Sequence, residues 1–383
     1  MINKNIIALG VVSFFTDMAS AMINPILPIF VVYTLKEGVD KVGEIVAIST
    51  FISYFLRVLS GFVADRFGFI KPLVVGGYAL SAFSKPLIGF SESYRDVMFL
   101  KSLERVGKAL RSAPKDRMIS FYSVKKREGR AFGFHKTLDI AGELFGNLIL
   151  FFSLLILGSG EEIIRDIFYS TLIPGLIALF IVIFFVENIK REKKRVDFKI
   201  TSKDKKVIGE LFFYFLFLFF MFNEAFFAMG AKERGVLIFL IPILFILSAL
   251  TQTLTSYLFG VFIDKMGYEK IVLFSYLSAI FSLFFLFFNS LFFVGVSFFL
   301  FGLFSVSSLN ANRALIAKKS DNQATVYGIF YAMIALFASL GAYVCGEVWN
   351  IWGIKGALYF SIFGELFTLL IFIFRFRLWR ILK

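Results

Sequence analysis

The chain has 383 residues, of which 58% are hydrophobic and only 18% charged, against roughly 25% charged residues in a soluble globular domain. Its apolar residues fall in runs of about twenty, each long enough to cross a ~30 Å hydrocarbon core as a helix, which excludes a soluble enzyme and predicts an all-α polytopic membrane protein. One Cys and one His exclude a disulfide framework and the usual zinc clusters; no phosphate-cradling glycine loop is present, so neither cofactor nor metal is expected.

Twelve spans are predicted, at 5–34, 42–64, 70–91, 95–112, 131–157, 164–187, 207–230, 236–262, 270–288, 290–312, 324–348 and 355–376. The first follows Met1–Lys4 and holds Asp17 before Pro25 and Pro28. No small-residue cleavage pattern follows it, so it is expected to be a span and not a removed signal peptide. Span two carries Arg57, expected to snorkel toward the inner face, and span three carries Lys85. Span four places Lys101, Glu104, Arg105 and Lys108 on one helix face, and span five does the same with His135, Asp139 and Glu143. Because these two helices run antiparallel, the expected pairs are Arg105 with Asp139 and Lys101 with Glu143. His135, near the cytoplasmic end of span five, is expected at the membrane interface, bonded to Asp139 or to headgroups, with proton shuttling as the alternative. Span seven offers Asn223 and Glu224, with Phe226 and Phe227 as candidate cavity walls, while span eleven has only Phe330, Ile334 and Ala338 where span five has its charges. Glu347 and Glu365 receive no assignment.

The basic residues sort by side. Taking the N-terminus as cytoplasmic, 27 Lys and Arg fall in inner segments, seven in outer loops and seven within or at the edges of spans. This bias places both termini inside and accounts for the net charge of +14 without nucleic acid. The one long polar stretch, 188–206, divides an N-terminal six-helix bundle (1–187) from a C-terminal one (207–383). Three local matches support a repeat: Gly61 to Gly68 with Gly260 to Gly267, Gly133 with Gly328, and Asp17 with Glu224. Both halves begin at the same face, so the repeats are parallel.

The pattern Gly61-x-x-x-Asp65-Arg66-x-Gly68-x-x-Lys71, with its weaker copy around Gly260 and Asp264, resembles the signature of the major facilitator superfamily, and the resemblance extends over essentially the whole chain. It implies two pseudo-symmetric six-helix bundles that rock about a central cavity and move a small solute by alternating access without ATP. The stretch from Arg105 to Arg117 is similar to prokaryotic permeases grouped with drug exporters. Two features depart from the family: Lys101 stands where a span-four Arg is usual and loses its bidentate fork, and Gly142 to Gly146 lacks the proline of an antiporter motif.

The expected inner gate consists of Gly61, Asp65, Arg66, Gly68 and Asp116, echoed by Gly260 and Asp264, with Asp65 reaching Arg111 or Arg117 and Asp116 answering Arg66 or Lys71. A charge at mid-helix costs about 2.5–3.5 kcal/mol on insertion scales, so the buried charges require a reason. Asp17 and Glu224 are expected to bind a proton or cation, and Asp139, Glu143, Glu104 and Arg105 either to couple that binding to movement or to hold the bundle together as a static network. Asp17, Lys101, Asn223 and Glu224 are the candidate substrate contacts.

The leading expectation is a proton-coupled exporter of an amphipathic organic solute, acting as a monomer in the cell membrane with the bilayer, protons and a small molecule as its partners. Two alternatives stay open. One is uptake or facilitated diffusion of a small organic anion held by Lys85, Lys101 and Arg105. The other is a non-transporting sensor or lipid-handling protein.

Overall fold

A computed structural model describes residues 3–67, 69–123, 128–189 and 200–381, and those residues are helical with no strand among them. The first helix, α1 (Lys4–Ala21), starts where the Asn3 side chain accepts the Asn5 amide, satisfying one of the donors a helix start leaves open. It stops before Pro25, and the chain continues through the short α2 (Leu27–Ile29) and a π-turn at Phe30–Thr34. There follow α3 (Val39–Phe67), α4 (Ile70–Leu87), α5 (Tyr94–Tyr122) and α6 (Glu128–Leu157), then α7 (Glu161–Ser170) and α8 (Leu172–Phe184), which together form span six. A reciprocal Ser93–Asp96 capping box opens α5.

The second half repeats this plan. Here α9 (Ser202–Phe220) and α10 (Glu224–Glu233) form span seven, broken at Met221–Asn223 much as span one breaks after α1. Next come α11 (Ile241–Met266), α12 (Tyr268–Phe285), α13 (Leu291–Lys319) and α14 (Gln323–Ile381). The last of these holds two spans in one run, turned at Gly353, whose φ of 67° is a left-handed value that a side chain would disfavour.

Two compact units result, one comprising Met1–Glu37, Ile48–Val196 and Ile238–Ile243, the other Gly38–Ala47, Asp197–Leu237 and Leu244–Lys383. Their internal packing corresponds. In the first, α1 packs on α6 and α4 on α5; in the second, α9 packs on α14 and α12 on α13. Glycine sets the closest approaches. A Cβ on Gly142 of α6 would stand 2.2 Å from the Phe14 carbonyl oxygen, and one on Gly341 of α14 would stand 2.2 Å from that of Phe219. Without a strong hydrophobic drive between helices in lipid, such small-residue contacts carry much of the association. The glycines around position 142 thus close a helix pair, with or without the family's proline.

Among the described residues, eight helices are long and apolar enough to span a membrane, the last being the 51-residue stretch Thr325–Arg375 that holds spans eleven and twelve. Helix α5 is not among them. Its run from Lys101 to Lys115 is charged because it forms the polar interior of the first unit.

Candidate functional site

The charged residues of the first unit gather on the inner faces of α1, α4, α5 and α6. Asp17 sits half-buried on α1. Among the described residues no ion pair or side-chain hydrogen bond ties it down, yet the ammonium groups of Lys85, Lys108 and Lys115 are all within its electrostatic reach. Lys85 of α4 is only 2% exposed and donates to the Thr16 carbonyl at 2.9 Å. The same carbonyl also accepts from Ser20 Oγ at 3.1 Å.

Glu104 of α5 is the hub of a second group. It is 2% exposed, with Lys101 Nζ at 3.1 Å and Arg105 Nε at 3.4 Å from the same carboxylate oxygen. Lys101 also donates to Asn24 Oδ1 at 2.9 Å, in the break after α1. This corrects the pairing expected across α5 and α6. Lys101 and Arg105 find their acid three residues away and next door on their own helix, not at Glu143 or Asp139. A short-range partner fixes fewer side-chain rotors than one reached from another helix.

Asp139 instead faces His135, with Oδ1 3.3 Å from Nδ1. His135 is 5% exposed, so the interfacial position expected for it is overturned, while its contact with Asp139 stands. Its other nitrogen, Nε2, lies 2.9 Å from Ser13 Oγ. Lys115 donates to that same hydroxyl at 3.1 Å, and Tyr78 OH stands 3.4 Å away. The Lys115 ammonium can only donate to this hydroxyl, whereas His135 Nε2 can donate to it or accept from it according to its tautomer. Arg111 lies over the Tyr78 ring at 4.6 Å and donates to Ser81 Oγ and to the Gly77 carbonyl. It is buried in the unit, and the Asp65 side chain expected to reach it or Arg117 lies outside the described residues. A continuous polar path therefore runs Asp139, His135, Ser13, Lys115, with Asp17 beside its end.

Lys115, Ser13 and Asn24 were not among the expected residues. The apolar pattern of span four ends at 112 and puts Lys115 in an inner loop, whereas α5 continues to Tyr122. Positions 101, 108 and 115 share one helix face, and their spacing of seven was the available signal.

In the second unit the structure separates the candidates. Glu224 is exposed in the first turn of α10, and the Asn223 side chain caps that helix by accepting from the Ala225 and Phe226 amides. Phe226 and Phe227 are fully buried. They pack on Trp349 and Phe301 respectively, so they form core and not cavity wall. Glu365 is fully buried, and both its carboxyl oxygens are without a hydrogen-bond partner. Asp40, Glu44 and Glu347 bring carboxylate oxygens within 4.8 Å of one another, and Lys41 bridges the first two at 3.0 and 2.6 Å.

Of the gate residues, Gly68 and the side chains of Asp65 and Arg66 lie outside the described residues, and Gly61 is described only as part of the α3 backbone. Asp116 is exposed, and Lys71 donates to the Ile183 carbonyl at 2.8 Å instead of meeting it. The second copy is complete. Asp264 pairs with Lys318 at 2.7 Å, at the ends of α11 and α13, and Gly267 adopts the left-handed φ of 87° that starts α12. Gly260 has open space beside it. Arg313 donates to Tyr331 OH at 2.8 Å, in keeping with a structural role near the end of span ten.

Comparison with known proteins places this arrangement. Residues 9–243 match the family model of the Major Facilitator Superfamily. An uncharacterized MFS-type transporter of Methanocaldococcus jannaschii is 30% identical over 363 residues, covering 91% of this chain and 89% of that one. Among solved structures, the nucleoside transporter NupG superposes with a TM-score of 0.83 at 14% identity, covering 97% of this chain and 99% of that one. A POT family transporter in complex with a thioalcohol conjugated peptide gives 0.78 at 11% identity, covering 97% and 96%. The fold is thus that of a multi-pass membrane transporter with a small-molecule substrate, and the chain belongs to the Major Facilitator Superfamily.

Proposed function

We propose that this secondary transporter moves a small organic solute bearing an anionic group, with proton movement through Asp17 coupled to it. The observation that carries this reading is the charge balance around Asp17: one carboxylate set among Lys85, Lys108 and Lys115 without pairing closely to any of them. Glu104, the other acid that acts on Lys85 and Lys108, is already engaged by Lys101 and Arg105, so the basic excess around Asp17 favours a bound anion, which supports the organic-anion alternative over export of a neutral or cationic amphipath. Protonating Asp17 would raise the positive excess and strengthen anion binding, and deprotonating it would weaken binding. That dependence is what couples two fluxes.

In this reading Lys108 is the principal substrate contact, since among the described residues no acid forms an ion pair with it. Lys101, Glu104 and Arg105 hold the helix that presents it, and Asp139, His135, Ser13 and Lys115 form the route by which a proton reaches Asp17. Glu143 keeps a secondary place in this site, and Asn223 and Glu224, at the start of α10, are candidate substrate contacts of the second unit by themselves. The protein acts as a monomer in the cell membrane with both termini cytoplasmic, and the imposed gradients decide the direction of flux.

The test is flux in proteoliposomes with an imposed pH gradient, using a panel of organic carboxylates and phosphates, with lipophilic cations and lysolipids as controls. Wild type is expected to move at least one anion class with protons. Lys108→Gln should lose transport and binding, while Asp17→Asn should keep binding but no longer respond to the pH gradient. Movement of lipophilic cations that survives Lys108→Gln would overturn the proposal.

A further inference from the structure

The second unit holds a cavity that the transport mechanism does not use. It lies among α9, α12, α13 and the end of α14, and measures about 280 Å³, near the lower end of ligand cavities, which run about 300–1,000 Å³. Lys205, Lys206 and Arg375 form its basic edge, all three exposed, while Phe213, Phe372 and Tyr276 line its apolar part.

Among the described residues, no acid pairs with the charges on that edge. Glu210, the acid among the lining residues, is already engaged: Tyr268 donates to it at 2.6 Å and Lys319 lies at 3.2 Å. Arg375 lies over the Phe213 ring at 5.6 Å, and among the described residues neither it nor Lys205 or Lys206 has an acid within ion-pairing distance. At the apolar end, the Tyr276 hydroxyl is wholly buried without a hydrogen-bond partner. Buried hydroxyls normally have a partner, and a native exception calls for a ligand, a water or a function. Tyr276 is held in place by stacking on Phe217 with ring centroids 4.1 Å apart, so it cannot easily swing away to find one.

We propose that this cavity binds a phosphate-bearing anion supplied by the bilayer, an anionic phospholipid. Its headgroup would sit between Lys205, Lys206 and Arg375, with the proximal part of its chain against Phe213 and Phe372. The source is chosen on position and chemistry. Arg375 closes the apolar stretch Thr325–Arg375 and Lys205 and Lys206 open span seven, so all three cations stand at the level where headgroups lie. Basic pockets between helices at that level suit acidic headgroups. A free polar phosphate would gain nothing from the aromatic part of the cavity. The cations draw an acidic lipid from a mixed bilayer, the apolar lining discriminates against soluble phosphates, and the lipid would tether the linker end of α9 to α12 and α14.

The experiment is native mass spectrometry of the full chain released from nanodiscs of phosphatidylcholine containing phosphatidylglycerol of matched chains. Wild type is expected to retain one phosphatidylglycerol in preference to phosphatidylcholine by at least tenfold. Lys206→Gln with Arg375→Gln should reduce that preference to less than threefold. Tyr276→Phe, which removes only an unpartnered hydroxyl and keeps the ring stack, should weaken retention about threefold with no loss of folded protein. Equal retention by wild type and the double variant would overturn the site. Displacement of the lipid by millimolar glycerol phosphate would overturn the lipid as its source.

Discussion

Replacing Glu104 by Gln removes the one acid that holds Lys101 and Arg105 inside the first unit. The substitution keeps size and shape, so the cost is electrostatic. Lys101 is 6% exposed and would retain only Asn24 as a partner, whereas the Arg105 side chain is a quarter exposed and can find water. Breaking a buried pair by deleting one partner costs about 3–5 kcal/mol because the other charge stays behind uncompensated. The partly exposed Arg105 adds little to this, so the lower half, about 3–4 kcal/mol, is expected. At roughly 2–4 °C per kcal/mol for a unit of 150–250 residues, the apparent Tm should fall by about 10 °C. The assay is thermal unfolding in detergent, followed by tryptophan fluorescence or by size-exclusion survival after heating. The decisive control is the double variant Glu104→Gln with Lys101→Met, which removes the stranded ammonium as well and should recover at least half of the loss. A fall of less than about 2 °C in the single variant, or a double variant less stable than the single, would refute the hub role of Glu104.

Other expectations follow from the same geometry. Ser13→Ala deprives His135 Nε2 and Lys115 Nζ of their shared hydroxyl, a loss of about 1–3 kcal/mol. It should lower the apparent Tm by several degrees and slow proton uptake in a liposome pH-jump assay, while Ser20→Ala, which only returns a hydroxyl to its own helix, should do neither. Gly142→Leu forces atoms into the Phe14 carbonyl and should abolish monodisperse elution in size-exclusion chromatography, whereas Gly133→Ala, beside open space, should elute as wild type. Asp264→Asn breaks a pair whose side chains are 73% and 56% exposed. Such pairs contribute about 0–1 kcal/mol, so its Tm should stay within about 2 °C of wild type, and any effect should appear in transport rate alone.

Much of this protein is legible in its sequence because a bilayer allows few solutions. Backbone groups must be satisfied within each segment in lipid, so the apolar runs had to become helices, and the recurrence of the Gly61–Gly68 pattern at Gly260–Gly267 marked the halves as related. The buried charges could be picked out one by one, since each costs too much to be there idly, and helical periodicity put Lys101, Glu104, Arg105 and Lys108 on one face. Partnership was a different matter. Helix faces say which residues look inward, but not the depth or rotation at which two helices meet, and an error of one turn exchanges every pair. Tertiary packing therefore decided that Glu104 serves its own helix, that His135 is buried on Ser13 and not at the interface, and that Phe226 and Phe227 are core. It also brought Lys115 to Asp17 and left Tyr276 without a partner beside unpaired cations, because those relations exist only once separate helices have been set at fixed distances.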